Sequence, residues 1–151
     1  MRPLSLLLLV LSLGGAAPLP AQAQPPCAAT APDLEGPFYK PNAPMRESTG
    51  RGLTVSGAVK SAGSCAPIPG ARVEWWQANP KGSYDDDHRA TLVATADGRY
   101  RLQTDFPPPY SGRPAHIHFR VTAPGHRTLI TQLYPRPGQT QMTFNLVLEK
   151  E

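Results

Sequence analysis

Residues 115–122 read AHIHFRVT. Successive side chains of a β-strand point to opposite faces. Ala115, Ile117, Phe119 and Val121 then share an apolar face suited to a core. His116, His118 and Arg120 share the other. Two histidines two positions apart have Cα atoms about 6.5–7 Å apart. That is near enough for both imidazoles to reach one ion. The same pattern also suits a pair of hydrogen-bonded surface histidines, so the rest of the chain has to decide.

Working outward, similar short runs recur. LTVSGAV (53–59), ARVEWWQ (71–77), GRYRLQT (98–104), RTLITQLY (127–134) and MTFNLVL (142–148) all read as strands. SAGSCAPIPG (61–70), ADG (96–98) and APG (123–125) carry turn residues between them. No helical period shows after the N-terminus. The chain is therefore expected to be all-β, an antiparallel β-sandwich of the two-sheet prealbumin or immunoglobulin type. The adjacent Trp75 and Trp76 should face opposite ways, one of them into the core. The Asp85–Asp86–Asp87 run reads as a solvated loop.

The N-terminus points to export. Met1-Arg2, the apolar run LSLLLLVLSLGG (4–15) and Ala21-Gln22-Ala23 form a signal-peptide pattern with cleavage after Ala23. The apolar run is too short for a membrane span. The expectation is a secreted or periplasmic protein, with no membrane partner. Residues 24–151 suffice for one domain. Its Pro-rich stretch 24–50 should wrap the sandwich as an arm. Lys and Arg number 15 against 11 Asp and Glu, a net charge of +4, and form no run. Nucleic acid is not an expected partner. Cys27 and Cys65 are the only cysteines. In an oxidising compartment they read as a disulfide closing a long loop, a stabilisation of roughly 4 kcal/mol; free thiols and metal ligation are the alternatives.

Two imidazoles do not fill a coordination sphere. His88 follows an acidic run and His126 sits in a turn, so both are weak candidates. Tyr110, three residues before Arg113, and Tyr84, after the tryptophan strand, are better placed. A phenol ionises near pH 10 and becomes a ligand only beside strong positive charge. A hard trivalent ion such as Fe(III) provides it, whereas zinc favours His, Cys and carboxylate. Tyrosines near strand ends also commonly just pack, so the residues alone leave this open.

RPAHIHF (113–119) with Tyr110 before it resembles the metal-binding segment of the intradiol ring-cleavage dioxygenases, the catechol and protocatechuate 3,4-dioxygenase family. DLEGPFY (33–39), PIPGARVEWWQANPKGSY (67–84), TADGRYRLQT (95–104) and LITQLYP (129–135) resemble further family segments in the same order. The resemblance implies non-haem Fe(III) held by Tyr84, Tyr110, His116 and His118. Tyr110 would be the ligand that leaves when substrate chelates. It implies Arg113 and Gln132 as catalytic and substrate-contacting residues, and Tyr39 and Trp76 as pocket walls. It implies a catechol-type substrate and O2, with ring cleavage between the hydroxylated carbons to a cis,cis-muconate-type diacid. A homodimer is one expectation for assembly. The loops after Tyr84 and Tyr110 are short for the family, so a more open pocket is expected.

Two other classes compete. PIPGARVEWW also suits a non-catalytic, transthyretin-like binding module. His116 and His118 also suit a periplasmic copper or zinc protein.

Overall fold

The computed structural model describes residues 27–151. The leader read over residues 1–23 and its cleavage point lie outside them. Among the described residues the regular elements are nine strands: β1 Ser48–Thr49, β2 Gly52–Ser61, β3 Arg72–Ala78, β4 Tyr84–Val93, β5 Arg99–Asp105, β6 Ile117–Thr122, β7 Leu129–Leu133, β8 Gln141–Thr143 and β9 Leu146–Leu148. One sheet runs β4-β3-β6-β7, all antiparallel. The other runs β1-β5-β2-β8, with β9 also on β2. Its centre, β2 with β5, is antiparallel, while β1, β8 and β9 add in parallel. Two mostly antiparallel sheets facing each other make a β-sandwich.

The alternation read in the sequence builds the core. Ile117, Phe119 and Val121 of β6 are fully buried with Val73 and Trp75 of β3. They form one cluster with Leu53, Val55 and Val59 of β2, Leu102 of β5 and Leu146 and Leu148 of β9. Burying such side chains is worth about 1.5–3 kcal/mol each. Trp75 takes the inner side, and its indole N–H donates to Thr49 Oγ1 at 3.3 Å. Thr49 donates to Thr104, and Thr104 to Gln77 Oε1, so the buried polar groups satisfy one another.

Two strand readings change. MTFNLVL is not one strand. It breaks at Phe144-Asn145 into β8 and β9, and β2 pairs with each in turn. At the break a Cβ on Gly57 would collide with the Phe144 carbonyl. Gly57 is therefore required by close approach, not by a left-handed backbone. Residues 84–93 carry no strand signal, since aspartates are poor strand formers. They form β4, the edge of its sheet. Asp86 and Asp87 stay exposed, as a solvated run implies, but Asp85 and Asp86 are also tied by side-chain contacts. Asp85 Oδ1 lies 2.7 Å from His88 Nδ1, and Asp105 Oδ2 lies 3.0 Å from His88 Nε2. Asp86 pairs with Lys40 and Arg89. His88 thus joins the edge of one sheet to β5 of the other.

The segment 28–47 crosses the outer face of the β4-β3-β6-β7 sheet strand by strand. Asp33 N donates to Ile130 O on β7, Gly36 lies against His118, Tyr39 packs on Trp76 of β3, and Arg46 N donates to Thr91 O on β4. Just ahead of the segment, Cys27 is disulfide-bonded to Cys65.

Gly57→Ala should lower stability by about 1–3 kcal/mol, read as a shifted urea midpoint, because the collision is with backbone. Burial works against charge on His88, but the hydrogen bonds its ring nitrogens donate to Asp105 and Asp85 outweigh it and raise its pKa above 6.5. A raised folded pKa means the clamp stabilises fully below pH 6.5 and fades as pH rises through the folded value. Thermal melts should therefore show stability declining as pH rises past 6.5, and His88→Asn should flatten that decline. An equally steep decline in the variant would refute the clamp.

Candidate metal centre

Tyr84 owes its place to a tight hairpin and a bulge. After β3, Asn79 Oδ1 accepts from the backbone N–H groups of Lys81 and Ser83 at 2.9 and 3.0 Å, closing the turn. Ala78 then pairs with Tyr84, while Trp76 pairs with Arg89. Residues 85–88 therefore bulge out opposite Gln77. Bulges re-aim side chains, and this one is locked by Asp85, which also accepts from Asn79 Nδ2 at 2.6 Å. Asp85, the first residue of the acidic run, thus helps fix Tyr84 at the head of β4.

His116 and His118 point away from the core, as alternation requires. Both are almost fully buried, at 3% and 2% exposure. His116 Nδ1 lies 2.7 Å from the Pro114 carbonyl, which fixes the proton on Nδ1 and frees Nε2. Tyr84 Oη is 3.2 Å from His116 Nε2 and 3.0 Å from His118 Nε2. One phenol proton cannot satisfy both. Burial, and then the nearby Tyr110, push the Tyr84 pKa up to about 12, opposed by Arg113. Burial, then His116, pull His118 down to about 4, so its ring is neutral at pH 7 and ligand-ready. His118 Nδ1 is buried without a partner.

Tyr110 arrives behind three prolines, 107–109, which stiffen its approach. Ser111 and Gly112 both have positive φ, 49° and 74°. Tyr110 and Arg113 exchange both backbone hydrogen bonds, at 3.1 and 3.0 Å. This is a two-residue hairpin of the type that demands two left-handed residues. It sets Tyr110 and Arg113 side by side. The Tyr110 ring stands edge-on to Tyr84, centroids 5.1 Å apart.

These side chains line one cavity of about 280 Å³, with Gly36, Pro37, Phe38 and Ser111. The structure brings together Tyr84, Tyr110, Arg113, His116 and His118 of the residues read from sequence. Gln132, Tyr39 and Trp76 do not line this cavity. Gln132 Oε1 accepts from Arg113 at 2.8 Å. Trp76 stacks on His118, centroids 5.0 Å apart and planes 8° from parallel, and Tyr39 packs behind Trp76 at 5.1 Å. Tyr39 is held by Glu74 Oε1 at 3.4 Å and by the Arg120 guanidinium over its ring. Phe38, not singled out beforehand, takes the wall position and stacks on Tyr84 at 4.1 Å. Gly36 was also missed; a Cβ there would press on His118 Cε1. Both sit inside the quoted GPFY stretch, whose side-chain directions no strand period fixes. His126 binds Ser61 and the Pro124 carbonyl, away from this cavity.

The donors fit a hard, trivalent ion. Among the described residues no group of three or more His, Cys, Asp or Glu converges. The set here is two imidazoles and two phenols, a poor match for zinc and a good one for ferric iron. The crowded Nε2–Oη–Nε2 arrangement is what a shared cation would relieve.

The family model described as Dioxygenase matches residues 28–147. Chlorocatechol 1,2-dioxygenase of Cupriavidus pinatubonensis is 30% identical over 141 residues, covering 71% of this chain and 55% of that protein. Hydroxyquinol 1,2-dioxygenase of Nocardioides simplex is 34% identical over 139 residues, covering 70% and 47%. The dioxygenase domain of a dioxygenase–carbohydrate-binding fusion from the cellulolytic Streptomyces sp. SirexAA-E superposes with a TM-score of 0.74 at 32% identity, covering 82% of this chain and all of that one. The chain belongs to the intradiol ring-cleavage dioxygenase family. It spans about half the length of the curated relatives it matches.

In the metal-free protein, an NMR titration should show the His118 ring unchanged between pH 8 and about pH 5. A His118 midpoint near 6.5 would contradict the burial described here.

Proposed function

We propose that this chain is an exported non-haem Fe(III) dioxygenase that opens catechol-type rings between their two hydroxylated carbons, giving cis,cis-muconate-type diacids. The observation that carries the reading is the meeting of Tyr84 Oη with both histidine Nε2 atoms, within 3.2 Å, in a cavity also lined by Tyr110 and Arg113. Tyr84, Tyr110, His116 and His118 would hold the iron. When bound, ferric iron supplies chelation of both catechol oxygens and draws electron density from the ring, so that the ring itself reacts with dioxygen.

The chain's own residues do the rest. Tyr110, on the hairpin at the cavity wall, is placed to accept a catechol hydroxyl proton as substrate enters. Arg113 faces the same space and stabilises negative charge developing on the ring. Gln132 holds Arg113 in that orientation. Phe38, stacked on Tyr84, and Trp76, stacked on His118, keep water from the ligand side chains. The small span of the 110–113 turn supports an open mouth. The likeness to a dioxygenase fused to a carbohydrate-binding module supports plant-derived diphenols as substrates. Export rests on the signal-peptide pattern of residues 1–23. Homodimerisation is part of the same proposal. Neither a non-catalytic binding module nor a copper or zinc protein accounts for the phenol donors.

Ferric-loaded protein should show a visible tyrosinate charge-transfer band and consume oxygen with catechol, protocatechuate or hydroxyquinol. Tyr110→Phe should move the band. His118→Ala should weaken Fe(III) binding at least about 100-fold, since loss of a supporting contact alone costs 10–100-fold. A colourless iron-loaded protein that leaves all three substrates intact would end the proposal.

A further inference from the structure

Arg113 is held by groups beyond the ligand set. Its Nη2 donates to Gln132 Oε1 and to Tyr134 Oη, both at 2.8 Å. Tyr134 Oη lies 2.7 Å from Asp33 Oδ2 and 3.0 Å from Gln132 Oε1. A phenol has one proton, and a carboxylate is its strongest acceptor here. Tyr134 therefore donates to Asp33 and turns its lone pairs to the guanidinium. The hydrogen bond from Tyr134 leads the causes that lower the Asp33 pKa, so this carboxyl is ionised at neutral pH.

Both supports are anchored. Gln132 Nε2 donates to the Leu34 carbonyl, which fixes which end of the amide faces Arg113. Asp33 N donates to Ile130 O, which pins the 28–47 segment to β7. Tyr134 follows Gln132 by two positions, so it projects on the same side. Its ring lies 6.2 Å from that of His116, and the residue is 38% exposed. Within the described residues, Arg113 Nε and Nη1 make no hydrogen bond. One nitrogen is thus fixed by the relay, and the others remain for whatever enters the cavity that Arg113 lines.

We propose that Asp33 and Tyr134 are positioning residues for Arg113. Asp33 holds the Tyr134 hydroxyl, and that hydroxyl with Gln132 holds the guanidinium toward the reacting ring. The inference rests on the proposed ring-cleaving function. It adds that the N-terminal segment contributes a charged group to catalysis and is more than a cover over the sheet.

The test compares iron-loaded wild type, Tyr134→Phe, Asp33→Asn and the double variant. Iron content and the charge-transfer band report the ligand set. Anaerobic catechol titration reports binding without turnover. Oxygen uptake reports kcat. Tyr134→Phe should keep the iron, the band and the anaerobic catechol Kd within about threefold, yet lose about tenfold in kcat, because loosening one electrostatic contact acts on the charged transition state. Asp33→Asn should lose less, since an amide oxygen still accepts. In the Tyr134→Phe background Asp33→Asn should add nothing, because Asp33 acts through Tyr134. Wild-type kcat in Tyr134→Phe, additive losses in the double variant, or loss of iron or of the band would each overturn the proposal. Banded wild-type protein that consumes no catechol would instead overturn the functional reading, and this inference with it.

Discussion

The structure depends on one strand being two things at once. On one side, β6 drives Ile117, Phe119 and Val121 into the core, where each is fully buried. On the other it presents His118, with His116 just ahead, to the underside of the 28–47 segment. Strand geometry enforces the division. A one-residue slip would turn the histidines into the apolar core and the core side chains to the outer face. The apolar face is therefore what holds the imidazoles in register. Core packing and site geometry are set by the same pairing with β3 and β7.

Around that strand, the remaining parts place other side chains against the two imidazoles. A bulge braced by Asp85 and His88 aims Tyr84. A stiff proline approach and a two-residue hairpin aim Tyr110 and Arg113 together. The segment 28–47 supplies Gly36 and Phe38 to the cavity and Tyr39 behind Trp76. It is tied at β7, at the disulfide and at the β4 edge. The site is thus assembled from four separate stretches of chain, none of which carries it alone. Metal ligands, wall and arginine support all share the outer face of one sheet.

Much of this was legible in the sequence because period-two alternation is a local signal. Residues 115–122 gave away both the core face and the histidine face, and Trp75 and Trp76 split as adjacent strand residues must. What stayed hidden was decided by contacts far apart in sequence. Asp85 and Asp86 of β4 disguise a strand because their partners are His88, Lys40, Arg89 and Asn79. The break between β8 and β9 is visible only against Gly57 on another strand. Phe38 replaced Tyr39 at the wall because residues 33–40 are irregular, and no period says which of two neighbouring aromatics turns inward. Tyr134 could have been found: it follows Gln132 at strand spacing. Asp33 could not, since only the fold brings it to Tyr134.

The central claim is that four side chains meet at a single ferric ion. Anomalous diffraction at the iron edge, from crystals of the iron-loaded protein, locates that ion directly. The account predicts one peak bonded to Tyr84 Oη, Tyr110 Oη, His116 Nε2 and His118 Nε2. Iron found elsewhere, or a Tyr84 hydroxyl still hydrogen-bonded to the two imidazoles with no ion between them, would contradict it.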